Sequence, residues 1–272
     1  MPELPEVETT VRGLEKVLDG QRLKRVEPRR GDLRRPFPQD LGQRMTGARV
    51  ITLGRRAKYG LIETDRGDTM IFHLGMSGRW RIDPESLDKH DHLVLETDSG
   101  RVLSLNDPRR FGSVDLVPTK ELAGFAGFEG LGPEPLGDAV TARWLKERLK
   151  GRKAAIKLML LDQRIVAGLG NIYACEALFR ARIDPRREAG RISLQRLDRL
   201  AEAIPVVLEE AIKAGGSTLR DFAAPDGELG YFSKTFDVYD REGEPCRGGC
   251  DGHVKRIVQG GRSTFFCPSC QR

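Results

Sequence analysis

Long apolar runs are absent from this sequence: no stretch approaches 18 consecutive apolar residues, and aromatic residues make up only 6%. A membrane-spanning helix needs about 20 largely apolar residues, so such a span is excluded. The opening MPELPEVE also lacks the basic start and apolar centre of a secretory signal peptide. We therefore expect a cytoplasmic protein that does not associate with membranes.

Cysteine is scarce as well, with five in 272 residues, but four of them fall within the last 27. Disulfide scaffolds are rare in the cytoplasm, whereas two cysteine pairs separated by 16 residues are typical of a structural zinc site. Three residues, instead of the usual two, separate the first pair, so His253 is an alternative ligand unless Gly248 and Gly249 let the backbone bend. The predicted ligands of one zinc ion are Cys246, Cys250, Cys267 and Cys270.

The positive charge of the chain is unevenly distributed. The formal net charge is +6, but residues 21–35 alone carry +5 and residues 246–272 carry +4, which leaves the remainder slightly acidic. Such concentration favours a polyanionic partner. Two solvated surfaces would produce the same pattern, so charge alone leaves both interpretations open.

Hydrophobic periodicity divides the chain into two parts. It predicts an amphipathic helix over residues 5–19, followed by short runs of β type that indicate a sandwich or barrel. The predicted strands cover residues 49–53, 59–63, 69–74, 92–96 and 101–105. GLGPEP at 130–135 reads as a linker, beyond which helical periodicity returns and Pro205 predicts a kink. The helices predicted there cover residues 144–149, 158–166, 171–179 and 193–214.

The second and third residues suggest covalent chemistry. If Met1 is removed, Pro2 becomes a secondary amine with a pKa of about 7.7–8.0, partly unprotonated and nucleophilic at neutral pH. Attack on an aldehyde carbon would give a cationic iminium, an electron sink, and Glu3 beside it could transfer protons. Many chains begin with Met-Pro, so these residues alone do not establish a catalytic site.

Three further motifs carry residues suited to DNA. The basic run 55–59 suits phosphate contact, and residues 106–112 present Arg109 and Phe111 from an Asp-Pro turn, as proteins that insert a wedge between bases do. Residues 168–171 open a helix whose N–H groups could bind phosphate. Each motif also has an ordinary interpretation: a solvated strand edge, a surface turn and a helix cap.

Taken together and in this order, the motifs resemble those of the bacterial formamidopyrimidine-DNA glycosylase family, and the resemblance runs essentially from end to end. The motifs that carry it are MPELPEVET at the start, GRRAKY at 54–59, HLGMSG at 73–78, KHDH at 89–92, DPRRFG at 107–112, GLGNIYA at 168–174 and the four-cysteine module. Any one of them could arise by chance, whereas the ordered set indicates the family.

The resemblance implies an α+β multidomain fold. Residues 1–130 would form an N-terminal catalytic β-sandwich with a leading helix. Residues 131–237 would form a helical DNA-binding domain with a helix–two-turn–helix motif, and residues 238–272 a zinc finger.

The resemblance also implies an enzyme of base excision repair, a DNA glycosylase that is also an abasic-site lyase. Such an enzyme removes oxidised purines (8-oxoguanine and formamidopyrimidines) and then cleaves the strand by β,δ-elimination. At the matching motifs, Pro2 would attack C1′ of the damaged nucleoside and form a Schiff base, with Glu3 as proton donor. Lys58 and Arg262 would be the proton donors for β- and δ-elimination.

The resemblance further implies how DNA is bound. Met76, Arg109 and Phe111 would fill the gap left by the extruded base, and residues 216–224 would close over that base. The other expected DNA contacts are His90, Arg152, Lys153, Lys157 and Asn171. The expected partner is double-stranded DNA with oxidised purines or abasic sites, bound by a monomer in the bacterial cytoplasm at the nucleoid.

Two alternatives remain. An endonuclease VIII-like glycosylase acting on oxidised pyrimidines shares this fold, but that branch begins Pro-Glu-Gly-Pro and lacks the Arg-Phe wedge, so Leu4 and the wedge favour the purine branch. A non-catalytic zinc-finger DNA binder would explain the charge and the cysteines. It would not explain Pro2 and Glu3 together with Lys58.

Overall fold

The computed structural model describes residues 1–217, Pro225 and residues 230–272. These divide into two compact units, the first formed by Met1–Glu129 with Ala214–Tyr231 and the second by Gly130–Lys213 with Phe232–Arg272. Each unit is therefore assembled from two separate stretches of chain. Among the residues described, no helix combines the length and the apolar character needed to cross a bilayer.

Helix α1 (Leu4–Leu18) opens the first unit. Glu3 is its N-cap, Pro5 lies in the first turn where a missing N–H costs little, and Glu6 completes a capping box with Glu3. The apolar face is buried, and the helix ends just before Gly20, whose φ of 68° is in the left-handed region. The helix predicted over residues 5–19 is confirmed.

Two four-stranded antiparallel sheets form the body of the first unit. Their strands are β1 (Leu23–Pro28), β2 (Val50–Arg56), β3 (Tyr59–Thr64), β4 (Asp68–His73), β5 (Arg79–Ile82), β6 (Asp91–Thr97), β7 (Val102–Asn106) and β8 (Ser113–Pro118), with a short helix α2 (Leu41–Met45) before β2. The strand orders are β1-β6-β7-β5 and β2-β3-β4-β8. Side chains of both sheets and of α1 share one buried core, so the expected β-sandwich with a leading helix is confirmed.

All five predicted strands are present in this sandwich. The sequence pattern does not predict strands β1, β5 and β8, because each mixes apolar residues with charged ones and buries only part of its side chains. Their place in a sheet depends on neighbours distant in sequence: β1 pairs with β6 and β8 with β4. The hydrophobic pattern within a strand does not show which distant strand it pairs with.

The second unit is helical and ends in a hairpin. Its elements are α3 (Ala142–Leu149), α4 (Ile156–Leu160), α5 (Asn171–Arg180), α6 (Leu194–Lys213), β9 (Lys255–Gln259) and β10 (Arg262–Phe266). Two turns join α4 to α5, as the expected helix–two-turn–helix motif requires. Pro205 lies inside α6.

The helix predicted over residues 158–166 is wrong, because α4 ends at Leu160. The Gln163 side chain organises the connection instead. Its Nε2 donates to the Leu169 carbonyl at 2.8 Å, and its Oε1 accepts from the Gly168 N–H at 2.8 Å. These contacts stabilise turns in a segment whose apolar periodicity, taken alone, predicts that the helix continues.

A buried carboxylate holds the segment that leads into the cysteine module. Glu176 on α5 is fully buried and accepts the backbone N–H groups of Asp237, Val238 and Tyr239 at 2.8–3.0 Å. Burial raises the pKa of Glu176, although the three N–H donors oppose the shift. Apolar side chains of the cysteine module also pack against α5 in a small shared core.

Asp91, at the start of β6, is the centre of a polar network in the sandwich. Its carboxylate accepts hydrogen bonds from the Asp88 N–H, Ser104 Oγ and Asn106 Nδ2 at 2.8–3.0 Å, and it pairs with Arg81 at 2.8 Å. Burial alone would raise the pKa of Asp91, but the hydrogen bonds and the Arg81 charge outweigh burial and lower it. The ionised carboxylate therefore stabilises the fold above the ordinary aspartate pKa of about 4, and this contribution is lost as the pH falls through the lowered pKa.

We expect Asp91→Asn to lower the free energy of unfolding by about 1–3 kcal/mol at pH 7, because the partners of the carboxylate remain buried without it. Urea denaturation between pH 7 and pH 2 checks this. The difference from wild type should shrink below about pH 4, where the carboxylate of the unfolded chain becomes protonated, and should disappear as the pH falls through the lowered pKa of the folded state. Asp98→Asn in an exposed turn is the control and should change stability by less than about 0.5 kcal/mol. A difference that does not depend on pH would contradict the role of the ionised group.

Candidate catalytic and DNA-binding site

Pro2 and Glu3 lie directly before α1, and both are buried, whereas Met1 is 50% exposed. The Glu3 backbone N–H donates to Glu6 Oε2 at 2.9 Å, and the Glu3 side chain accepts from the Glu6 backbone. This capping box gives the start of the chain a fixed position, although chain termini generally fray. The residues predicted as nucleophile and proton donor are thus held next to each other, away from solvent.

Glu6 makes a second contact that sequence reasoning missed. Its Oε1 accepts a hydrogen bond from the backbone N–H of Ser217 at 2.9 Å. Ser217 is the second residue of the segment expected to close over the extruded base, residues 216–224, of which residues 218–224 lie outside the described part of the chain. The Glu-x-x-Glu spacing signals a capping box, but a contact across 211 residues has no local signal.

Lys58 lies in the two-residue turn between β2 and β3, and only 8% of it is exposed. The preceding Ala57 has a φ of 51°, which this tight turn imposes. Arg55 anchors the hairpin, because its Nε donates to Glu8 of α1 and its Nη1 to the Ala57 carbonyl, both at 2.9 Å. The turn that contains Lys58 is therefore fixed to α1 through Arg55.

A positively charged cavity of about 270 Å³ adjoins this hairpin. Its lining residues are Arg34, Arg35, Tyr59, His73, Phe111 and Ser113. Burial, together with the charges of Lys58, Arg34 and Arg35, lowers the pKa of His73 to about 4, so the ring is neutral at neutral pH. Its Nδ1 accepts from the Gly75 N–H at 3.0 Å, which leaves Nε2 as a donor. These donors suit a DNA phosphate, a role that sequence reasoning did not assign to His73.

Two loops of the first unit present the expected wedge residues. Met76 lies between β4 and β5, and Arg109 and Phe111 lie between β7 and β8. The loops touch, because a Cβ on Gly75 would lie 2.3 Å from the Phe111 carbonyl carbon and only glycine fits. Phe111 is 46% exposed, and the Arg109 guanidinium lies 4.9 Å from the centre of its ring. The structure therefore brings all three predicted wedge residues onto adjoining loops.

The buried carboxylate of Asp107 ties these loops together. It accepts hydrogen bonds from Ser77 Oγ at 2.7 Å and from the Gly112 N–H at 2.8 Å, and Ser77 Oγ accepts the Arg109 N–H at 3.2 Å. Sequence reasoning took Asp107 only as the first residue of an Asp-Pro turn. Its link to Ser77, 30 residues earlier, becomes visible only when the two loops are folded together.

His90 is held beside the wedge loop. Its carbonyl accepts the Asp107 N–H at 3.0 Å, and its own N–H donates to Asp88 Oδ1 at 2.6 Å. The partly exposed ring lies edge to face against His92, with 6.1 Å between the ring centres. This placement is compatible with the predicted DNA contact.

The predicted phosphate contacts of the second unit divide into exposed and buried residues. Arg152 and Lys153 are exposed in the segment before α4. Lys157 on α4 is expected to contact a DNA phosphate, but it is fully buried. Its Nζ donates to the Ser263 carbonyl at 3.0 Å and to Thr264 Oγ1 at 2.7 Å. Its ammonium group therefore binds the β9–β10 hairpin of its own chain.

Asn171 begins α5, and its amide also points inwards. Nδ2 donates to the Ser263 carbonyl at 3.0 Å and to the Tyr239 hydroxyl at 3.3 Å. Asn171 and Lys157 thus share one acceptor. The sequence does not predict a role for Tyr239, because no motif surrounds it. Its position depends on a contact with a residue far away in sequence, since its backbone N–H donates to Glu176.

Arg262 is exposed at the start of β10, directly after the turn of the β9–β10 hairpin. The turn consists of Gly260 and Gly261, with φ of 55° and 75°. Positive φ at both central positions is what a two-residue type I′ turn requires. The hairpin therefore presents the Arg262 guanidinium to solvent from a well-defined strand end.

The four cysteine sulfurs are positioned for one metal ion. All four lie within 4.8 Å of one another, with 3.6 Å between Cys246 and Cys270 and 3.7 Å between Cys250 and Cys267. Tetrahedral zinc with Zn–S bonds of about 2.3 Å places sulfurs about 3.8 Å apart. The predicted all-cysteine set therefore fits a structural zinc ion.

The longer first gap is absorbed by glycine. A Cβ on Gly248 would lie 3.0 Å from the Cys270 sulfur, and Gly249 has a φ of 76°. Both positions therefore favour a residue without a side chain. His253 is exposed and is not part of the cluster of sulfurs, so the alternative ligand is not needed.

Three family models match the chain. Residues 1–114 match the formamidopyrimidine-DNA glycosylase N-terminal domain, residues 131–223 its H2TH domain, and residues 243–272 the zinc finger found in FPG and IleRS. The matched ranges contain every predicted site residue.

Relatives and solved structures agree with these models over the whole chain. The formamidopyrimidine-DNA glycosylases of Novosphingobium aromaticivorans and Rhizorhabdus wittichii are 70% and 69% identical, with 100% of both chains covered. MutM (FPG) of Thermus thermophilus is 40% identical, with a TM-score of 0.88 over 99% of this chain and 98% of that one. A Lactococcus lactis FPG mutant in complex with Fapy-dG-containing DNA is 34% identical, with a TM-score of 0.91 over 100% of both. The chain belongs to the formamidopyrimidine-DNA glycosylase family.

Proposed function

We propose that this protein excises oxidised purines, 8-oxoguanine and formamidopyrimidines, from duplex DNA and then cleaves the strand at the emptied site. The observation that carries the proposal is the capped N-terminus, where Pro2 and Glu3 are buried side by side. Family membership supports it, as do the complexes of Lactococcus lactis Fpg with Fapy-dG-containing and abasic-site DNA.

The reaction begins with Pro2. Removal of Met1 leaves a secondary amine with an ordinary pKa of about 8, so a useful fraction is unprotonated at neutral pH. As the amine nitrogen bonds to C1′ and loses its proton, the N-glycosidic bond breaks and Glu3 donates a proton for the departing base. Opening of the sugar ring at C1′–O4′, with protonation of O4′, then leaves an iminium between Pro2 and the sugar.

Two eliminations then cut the strand. Removal of the C2′ proton moves the C–H electron pair into the iminium to give an enamine. Return of this pair breaks the C3′–O bond, and Lys58 protonates the leaving phosphate. In a second elimination, removal of the C4′ proton moves its electron pair into the conjugated iminium, and the return of this pair breaks the C5′–O bond, with Arg262 as the proton donor for that phosphate. Two observations support these roles. Lys58 lies in a turn that Arg55 holds by a hydrogen bond, and Arg262 is exposed at the start of β10.

Base extrusion is assigned to the two tied loops of the first unit. Extruding a nucleotide costs a few kcal/mol, because stacking and pairing are lost. Met76, Arg109 and Phe111 offset part of this cost by occupying the vacated space, and Asp107 keeps their loops in place. Phe111 is 46% exposed, so its ring is accessible for insertion between bases, as a wedge requires.

Duplex binding is assigned to His90 and the exposed pair Arg152 and Lys153. The amide of Asn171, like the ammonium group of Lys157, donates to the Ser263 carbonyl of its own chain, so Asn171 is assigned no duplex contact. We expect a monomer, because every group assigned to the reaction belongs to a single chain. The substrate is chromosomal DNA, so the expected location is the bacterial cytoplasm at the nucleoid.

Blocking the Pro2 nitrogen tests the proposed function directly. We expect one arginine inserted between Met1 and Pro2 to abolish covalent trapping by borohydride on an oxidised-guanine duplex, because the nitrogen becomes an amide. Binding to an abasic-site analogue should remain nearly intact. Mass spectrometry of the wild-type N-terminus should show that Met1 is removed, and normal trapping by the insertion variant would refute Pro2 as the nucleophile.

Glu3→Gln separates base excision from strand cleavage. We expect a loss of about 10²–10⁴ in excision of 8-oxoguanine, the usual contribution of a general acid. Nicking of DNA that already lacks the base should persist, because the amine performs that step. Glu15→Gln, on the exposed side of α1, is the control and should match wild type on both substrates. An equal loss on both substrates would assign Glu3 a structural role.

The zinc ion contributes folding energy to the finger and takes no part in bond making. About 27 residues cannot bury an adequate core alone, so we expect Cys250→Ser to reduce zinc content below one per chain and to weaken DNA binding. Most of the thermal unfolding transition, which belongs to the rest of the protein, should remain. His253→Ala should leave zinc content and binding unchanged. Loss of zinc in His253→Ala, with retention in Cys250→Ser, would show that the ligand set is wrong.

A further inference from the structure

Lys157 is a buried cation that the proposed reaction does not use. We propose that it is a positioning residue: it holds the β9–β10 hairpin on α4 and thereby fixes where Arg262 stands. The inference rests on the proposed role of Arg262 in the second elimination.

The contacts of Lys157 fall on the two residues that follow Arg262 in β10. Its Nζ donates to the Ser263 carbonyl at 3.0 Å and to Thr264 Oγ1 at 2.7 Å, and neither Lys157 nor Thr264 is exposed to solvent. A buried ammonium group is costly unless hydrogen bonds replace its water. This cation is therefore tied to the hairpin, and moving the hairpin away would leave it poorly solvated.

The turn before Arg262 rests on the same helix. A Cβ on Gly260 would lie 2.9 Å from Leu158 Cδ2, so the turn is in close contact with the residue next to Lys157. Asn171 adds a second donor, at 3.0 Å, to the Ser263 carbonyl. Arg262 thus stands between a turn that contacts α4 and a strand segment that is hydrogen-bonded to α4 and α5.

This arrangement matters for an exposed arginine at the end of a short strand. Proton donation requires the guanidinium to lie within hydrogen-bond distance of the leaving phosphate, and a displacement of about 1 Å can cost roughly 100-fold in rate. Lys157 cannot reach DNA while it is enclosed by the hairpin. Its removal should therefore slow the step that uses Arg262 more than it slows base excision by Pro2.

The competing explanation is direct contact with a DNA phosphate, and the two make different predictions. A phosphate contact contributes about one unit to the slope of log affinity against log salt. A residue that positions the hairpin contributes nothing to that slope, but its effect is coupled to the effect of its acceptor, Thr264.

The experiment compares Lys157→Met and Thr264→Val, singly and together, in the full-length zinc-loaded protein. On preformed abasic DNA we expect each to slow the second elimination about 10–100-fold, so that products of the first elimination accumulate, and the double variant to be no slower than either single one. Thr264→Ser, which keeps the hydroxyl, should restore most of the rate. Lys150→Met, an exposed residue at the end of α3, is the control and should behave like wild type.

Binding and hydrogen exchange complete the test. Lys157→Met should keep the wild-type salt slope, whereas Lys153→Met should lower it by about one. Backbone amides of residues 262–266 should exchange faster in Lys157→Met and Thr264→Val, a readout that needs no catalysis. A salt slope reduced by one in Lys157→Met with no effect of Thr264→Val overturns the inference, as does unchanged exchange in both variants. Loss of borohydride trapping by wild type would instead contradict the proposed function and leave the exchange result valid.

Discussion

The carboxylate of Glu6 is buried, and it divides its two oxygens between the backbone N–H groups of Glu3 and Ser217. The proposed nucleophile, Pro2, lies next to the chain terminus, the part of a polypeptide that is generally least ordered. The capping box determines where α1 begins and therefore where Pro2 lies. The same carboxylate anchors the start of the segment expected to close over the base, so both depend on one side chain.

Other parts of the site follow the same physical rule. A buried charge is tolerated only when hydrogen bonds replace its water, so each such group binds together the segments that satisfy it. Asp107 joins the two wedge loops, Glu176 holds the segment that contains Tyr239, and Lys157 holds the strand that follows Arg262. Hydrogen bonds to buried groups therefore hold these segments in position.

Much of the positive charge concentrated in residues 21–35 is paired with nearby carboxylates in the folded protein. Residues 21–35 carry +5, but several of their basic side chains form ion pairs with nearby carboxylates. The paired residues are Lys24, Arg25, Arg30 and Arg35. The region therefore contains a cavity lined by Arg34, Arg35 and a neutral His73, and not a uniformly positive face. Solvent-exposed pairs of this kind are weak, so DNA phosphates can replace them at little cost.

The sequence by itself determined the family, the leading helix, five of the strands and the zinc ligands, because these depend on short spacings or local periodicity. It did not determine the end of α4 after Leu160, the contact of Glu6 with Ser217 or the burial of Lys157. Each of these depends on residues far apart in the chain, and a cation on a short helix looks the same in sequence whether it faces solvent or a hairpin. Only the tertiary structure decided which acceptors surround it, because burial is a property of the assembled fold.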